Sequence, residues 1–288
     1  MTHDIRRGAA LMILATLLMA VLNALQKTAT ATLPVGEVIF FRNLFSLPTV
    51  LLVALRTRPR LATTRFGGHV LRSTVGLVSM VMVVIAVSAL PLAEQQVFSY
   101  TQPLFLTLLA LPLLGERPSA RRLWATALGF TGVLTVALGA GLGDAGNVPA
   151  WAYAVALAQG LFGALTALQI RQLSATESST TIVFWQAVLM TLFTALPMPF
   201  YWQAPTGMEW LLLVAIGIVA AIYQTVLAEA FAATQVSAIG PFTYAGLIWS
   251  ALLGWLVFAE VPSLNMLFGT ILIVGAGLWM LRPERRPH

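Results

Sequence analysis

Long apolar runs follow one another from about residue 8 to residue 281 of this 288-residue chain, separated by short clusters of proline, glycine and charge. Each run is close to the 20 or so residues that a helix needs to cross the hydrocarbon core of a bilayer. The pattern predicts ten spans, over residues 8–31, 36–55, 68–90, 93–114, 120–140, 150–172, 179–199, 207–231, 236–258 and 264–281. A transmembrane barrel would alternate polar and apolar residues over short strands. The runs 75–90 and 251–258 are apolar without alternation, so the spans read as helices. Several connections are only a few residues long, which makes sequential helices antiparallel neighbours.

Composition strengthens this picture. Hydrophobic residues make up 59% of the chain and charged residues 9%, against about 25% charged in ordinary soluble domains. The net charge of +6 does not gather into a basic run of the kind that binds nucleic acid; the charges lie between the apolar runs. With no cysteine, a disulfide framework and a thiolate metal site are excluded. The N-terminal arginines, the apolar run after them and the Ala29-Thr30-Ala31 triplet resemble a cleavable signal. The segment is instead read as a retained first span, because it is long enough to cross and has a counterpart later in the chain.

Basic residues set the expected orientation. With the N-terminus inside, Arg6, Arg7, Arg56, Arg58, Arg60, Arg65, Arg72, Arg117, Arg121, Arg122, Arg171, Arg282, Arg285 and Arg286 all fall on the cytoplasmic side. Of the 16 basic residues only Lys27 and Arg42 remain, near the outer ends of the first two spans. That bias predicts cytoplasmic termini and an external Asp144.

The chain also matches itself at half its length. At an offset of 144 residues, Phe98 and Tyr100 recur as Phe242 and Tyr244, and Glu116, Pro118 and Ser119 as Glu260, Pro262 and Ser263. Lys27 pairs with Arg171, Phe40 with Phe184, and several leucines follow. The expected halves are residues 1–144 and 145–288. Five spans in each is an odd number, so the second half lies upside down relative to the first. Inverted repeats are a transporter architecture, with the solute site near the midplane between halves.

The turns Gly115-Glu116-Arg117-Pro118-Ser119 and Ala259-Glu260-Val261-Pro262-Ser263 each precede a helix rich in small residues, 125–132 and 269–277. Together with Pro34 and Arg42 at the second span, they resemble the drug/metabolite transporter superfamily in its ten-helix, EamA-type form. The resemblance covers nearly the whole chain. It implies alternating access through a central cavity, and within the superfamily the overall likeness is to aromatic amino-acid exporters.

Polar residues inside spans are costly in lipid and tend to face the bundle or a cavity. Gln95, Ser99 and Gln102 share one face of the fourth span; Gln159, Thr166 and Gln169 share one of the sixth; Thr16, Asn23, Lys27 and Thr30 share one of the first. Any one of these residues serves equally well as packing glue between helices, but the set is better explained by a wet cavity. Tyr100, Trp185, Tyr223, Tyr244 and Trp249 lie deep in spans, away from the interfacial belts that Trp and Tyr favour. The substrate-binding candidates are therefore Tyr100, Gln159, Trp185, Tyr223, Tyr244, Gln95 and Ser99. Aromatic walls with few polar groups suit a neutral or zwitterionic solute. Members of the superfamily that carry multidrug cations use a carboxylate in the first helix, and this first span has none. Lys27 and Arg42 could meet a solute carboxylate, with snorkelling to the surface the favoured reading of Lys27. The Glu-x-Pro-Ser turns read as helix starts with serine caps. Pro103 and Pro241 interrupt the fourth and ninth spans, as kinks or hinges.

The expectation is an all-α membrane protein of the bacterial inner membrane that exports small metabolites, amino acids foremost, as a monomer or homodimer. No cofactor, metal or nucleic-acid partner is expected. A membrane-embedded enzyme is the rival reading, but His3, His69 and His288 sit in tails or at a span edge and form no reactive constellation. A channel would need a charged ring or filter loop, and no phosphate-binding loop for ATP is present. No acidic residue lies near the middle of a span; Glu94 and Glu229 come closest, within reach of water. The carrier is therefore expected to work as a facilitator or exchanger.

Overall fold

A computed structural model describes residues 5–57, 62–114, 119–139, 149–233 and 240–281. The described residues form helices joined by turns, with no strand among them. They are α1 (Ile5–Ala29), α2 (Val35–Thr57), α3 (Phe66–Ala89), α4 (Leu92–Ser99), α5 (Gln102–Leu114), α6 (Ala120–Gly139), α7 (Ala150–Leu173), α8 (Ser179–Ala195), α9 (Met198–Tyr201), α10 (Gly207–Ala233), a 3-10 turn (Gly240–Tyr244), α11 (Ala245–Phe258) and α12 (Leu264–Leu281). Five helices are long and apolar enough to cross a membrane on their own: Arg6–Ala29, Val35–Leu52, Phe66–Ala89, Ala150–Leu173 and Gly207–Ala230. Shorter apolar helices cover Thr180–Ala195, Phe242–Phe258 and Leu264–Met280.

Three predicted spans are corrected. The fourth is not one kinked helix but two, broken at Tyr100 and Thr101 between α4 and α5. Pro103 lies in the first turn of α5, where a missing N–H costs nothing, so the break precedes the proline. The described part of the ninth span likewise begins as the 3-10 turn containing Pro241 and becomes α-helical only at Ala245. The seventh span ends as a helix at Ala195, with α9 a separate turn after Pro197.

Element bounds recur at the same 144-residue offset as the sequence: α1 maps onto α7, α2 onto α8, α3 onto α10, α5 onto α11 and α6 onto α12. Packing is reciprocal. Helix α1 packs extensively on α10, and its counterpart α7 packs on α3; α2 meets α8, and α6 meets α12. When two helices meet, their counterparts also meet, as a two-fold relation between halves requires. The α6–α12 crossing is closest at Gly132 and Gly269. A Cβ on Gly132 would stand 2.6 Å from the Gly269 carbonyl oxygen, and one on Gly269 would stand 2.5 Å from that of Gly132. Small residues let the two backbones touch.

The serine-cap reading of the repeated turns holds where the structure describes it. Ser119 Oγ accepts from the Arg122 amide at 3.4 Å, and Ser263 Oγ from the Met266 amide at 3.1 Å. Residues Gly115 to Pro118 of the first turn and the boundary at 144 lie outside the described residues.

Candidate functional site

The break between α4 and α5 meets the 3-10 turn that leads into α11. Tyr100 closes α4 and Tyr244 immediately precedes α11, at positions matched by the repeat. Their rings touch edge to face, with centroids 4.9 Å apart and planes at 64°. The Tyr100 hydroxyl donates to the Thr243 carbonyl at 3.1 Å, tying the break in one half to the 3-10 turn in the other. Gly160 on α7 leaves room for this junction, since a Cβ there would run into the Thr101 side chain.

Beside the junction lies a buried amide network. Asn23 Nδ2 donates to Gln95 Oε1 at 3.4 Å, and Gln95 Nε2 donates to Ser99 Oγ at 3.1 Å and Gln159 Oε1 at 3.4 Å. Gln159 Nε2 donates to Ser99 Oγ at 3.1 Å. Gln95 is 0% exposed and Gln159 3%. These groups bond one another across α1, α4 and α7, with the Asn23 Oδ1 left as a buried acceptor without a partner. Next to them, Glu94 accepts from the Tyr153 hydroxyl at 2.7 Å. Glu94 is 9% exposed, so the expectation that water reaches it is corrected: the α4–α7 contact shields it.

At the end of the bundle where α1 stops and α3 turns into α4, an ion pair joins the halves. Lys27 Nζ lies 2.5 Å from Glu260 Oε1 and also donates to the Leu90 carbonyl at 2.6 Å. The other carboxylate oxygen, Oε2, accepts from the Leu92 amide at 2.8 Å, and the ammonium stands 5.3 Å from the Phe258 ring centroid. Ala259 delivers the carboxylate by taking a left-handed conformation, φ 56°, at the end of α11. Lys27 therefore does not snorkel. The cheaper outcome for a half-buried amine is a carboxylate fixed by a backbone N–H. Sequence reasoning missed this clasp by treating Glu260 as part of a turn, although Lys27 and Glu260 both belong to the repeat.

A third group lies where α3 and α8 begin. Trp185 packs edge to face on Phe66 and Phe184 at 5.3 and 5.9 Å, with His69 at 6.2 Å. Arg72 donates to Gln186 Oε1 at 2.6 Å, and Glu177 Oε1 accepts from Thr63 at 2.6 Å and lies 3.9 Å from His69 Nε2. Arg72 and His69 are buried, 5% and 1% exposed, rather than in a cytoplasmic loop or at an open span edge.

On α2, Arg42 is half-buried, and the phenol of Tyr223 on α10 feels its charge. Phe45 lies against Gly217, where the two helices approach closely. A cleft of about 220 Å³ opens further along this crevice, between Phe45 and Thr49 on one side and Ile218, Ile222 and Val226 on the other.

The structure thus brings together Gln95, Ser99 and Gln159, and separately Tyr100 and Tyr244. Trp185 and Tyr223 lie in two other groups. Among the described residues, no cluster of three or more His, Asp and Glu side chains could hold a metal ion.

A family model described as the EamA-like transporter family matches the chain twice, over residues 6–138 and 150–282. The chain belongs to the EamA-like transporter family. Its relatives include the pseudopaline exporter of Pseudomonas aeruginosa, 31% identical over 98% of both chains. The riboflavin transporter of Vibrio cholerae is 30% identical over 94% of this chain and 92% of that one. The S-adenosylmethionine uptake transporter of Rickettsia felis is 30% identical over 87% and 84%. A crystal structure aligns with 94% of this chain and 96% of its own at a TM-score of 0.65 and 21% identity, a likeness of fold alone. This EamA-like protein is therefore a multi-pass membrane transporter of small molecules and not an enzyme, built from two repeats as its sequence suggested.

Proposed function

We propose that this transporter exports small metabolites from the bacterial cytoplasm by alternating access, with amino acids, aromatic or otherwise neutral, as the leading class. One observation carries the reading: the repeat-related Tyr100, at the α4–α5 break, and Tyr244, at the 3-10 start of α11, lie against each other between the two halves. Discontinuous helices at a repeat interface are where carriers of this architecture build their solute sites. Tyr100, Tyr244, Gln95, Ser99 and Gln159 are the proposed contacts at the junction, with Trp185 and Tyr223 on the path to either side. Their aromatic and amide groups suit a solute with an apolar body and a few polar atoms.

The Lys27–Glu260 clasp supports the alternating part of the reading: an ion pair closes the halves at one end, while at the other end they are joined by the Arg72–Gln186 and Thr63–Glu177 hydrogen bonds. With both termini cytoplasmic, the ion-paired end is external. Export is favoured by the full-length likeness to an exporter. The proposed transporter is a facilitator or exchanger, because the acidic groups set among the helices, Glu37, Glu94 and Glu260, are engaged with the Gln203 amide, Tyr153 and Lys27.

Counterflow tests this directly. Purified protein in liposomes preloaded with unlabelled amino acids is expected to take up external labelled phenylalanine, tyrosine or leucine, and an imposed pH gradient is expected to add no accumulation. Absence of counterflow across the amino-acid panel sinks the substrate class. Accumulation driven by the gradient and abolished by Glu94→Gln sinks the facilitator mechanism.

A further inference from the structure

The charged side chains set into this bundle are almost all accounted for. Lys27 has Glu260, Glu94 has Tyr153, Arg72 has Gln186, and Glu37 accepts from the Gln203 amide. Arg42 differs. Among the described residues it makes no hydrogen bond and no ion pair, and its one electrostatic neighbour is the Tyr223 phenol. It is not a surface residue, for α2 has a distinct outward side. Leu51 and Leu55, 43% and 73% exposed, mark the stripe that faces lipid. Arg42 lies on the other side, in a polar stripe with Ser46 and Thr49 at i+4 and i+7. To its two flanks, Phe41 packs against Trp210 of α10, and Asn43 reaches Met80 of α3. Arg42 thus projects between α10 and α3, into the interior that α2, α3, α8 and α10 enclose.

A guanidinium cannot shed its charge as a lysine can. An unpaired one inside a membrane protein is costly, and such residues characteristically pair or line a solute path. Its planar fork of donors matches the two oxygens of a carboxylate. We infer that Arg42 is the carboxylate-binding residue of the transport path, with the Tyr223 hydroxyl as a second donor to the same group. The inference rests on the amino-acid reading above and sharpens it. The solute enters with its carboxylate toward α2 and α10, and its body reaches the Tyr100–Tyr244 junction. The partner missing from the protein is supplied by the cargo, so a solute that lacks the carboxylate leaves the cation unpaired.

The test compares L-phenylalanine with L-phenylalaninamide, which keeps the side chain and the amine but replaces the carboxylate. In counterflow the wild-type protein is expected to favour phenylalanine by roughly tenfold or more, the size of one charge-assisted hydrogen bond. Arg42→Gln is expected to lose that preference by raising KM for phenylalanine, with KM for the amide little changed. Tyr223→Phe is expected to lose part of it. If the wild type carries both solutes equally, or folded Arg42→Gln keeps the preference, the inference is overturned and amino-acid transport stands. If no amino acid moves at all, the functional reading fails and this inference with it. Should Arg42→Gln not be recovered folded, Arg42→Lys carries the comparison: a raised KM for phenylalanine alone supports the role, and equal shifts for both solutes overturn it.

Discussion

Lys27 and Glu260 show how one contact serves both fold and motion. The pair is mostly buried, 16% and 17% exposed, and its remaining valences go to the Leu90 carbonyl and the Leu92 amide. Removing one partner strands a charge that has lost its hydration, a change that typically costs about 3–5 kcal/mol in a buried pair. Removing both leaves no stranded charge, and the energy of the pair itself is small by comparison. Lys27→Met and Glu260→Gln should therefore each lower the melting temperature of the detergent-solubilised protein, and the double variant should recover much of the loss. Equal, additive losses would show that the side chains act independently. If the clasp also closes the external end, the double variant should label faster than wild type at a cysteine placed at Ser99, with reagent added from outside. The chain has no native cysteine to confuse the readout. The sequence supplied both residues. It did not supply the pairing, because 233 residues separate them and only the left-handed turn at Ala259 brings the carboxylate round.

At the scale of elements, the 144-residue register is the strongest organising feature, and it was legible because boundaries as well as side chains repeat. Apolar length located the spans, yet it merged α4 with α5 and the 3-10 turn with α11. Hydropathy is blind to a break whose flanks are equally apolar. Pro103 signalled the interruption but misplaced it, since a proline is comfortable in a first helical turn and the chain breaks just before it. Of the candidate site, the amide stripe of Gln95, Ser99 and Gln159 could be read from helical spacing. Its mutual satisfaction could not, because that depends on α4 and α7 facing each other. The α6–α12 crossing gives the clearest test of element packing. Two glycine backbones approach closely there, with Val136, Leu272 and Ile273 packed against them, so Gly132→Leu should force the helices apart and reduce folded yield severely. Gly275→Leu, at a position on α12 where a Cβ meets nothing within 4 Å, should be tolerated. Equal yields from the two would show that the close crossing is not needed.

For the whole molecule, the inverted repeat makes a claim about which side of the membrane each loop occupies. Each half holds five spans, counting α4 with α5 as one and the 3-10 turn with α11 as another. An odd number returns the chain to the opposite side, so residues matched by the repeat lie on opposite faces. The charge pattern is consistent with this inversion: Lys27, near the outer end of the first span, maps onto Arg171 at the end of the sixth, and only the second of these lies on the arginine-rich side. Fourteen of the 16 basic residues share one side in this arrangement, and membrane insertion leaves such residues in the cytoplasm. Both termini and position 60 should therefore be cytoplasmic and position 144 external. Single cysteines at positions 60 and 144 in otherwise unchanged protein provide the measurement, again because the native chain contains none. In intact cells an impermeant maleimide should label position 144 and spare position 60 until the membrane is opened. Labelling of position 60 from outside would reverse the orientation and make the Lys27–Glu260 clasp a cytoplasmic closure. Labelling of both from outside would mean an even number of spans between them, and the five-helix inverted repeat would have to be abandoned.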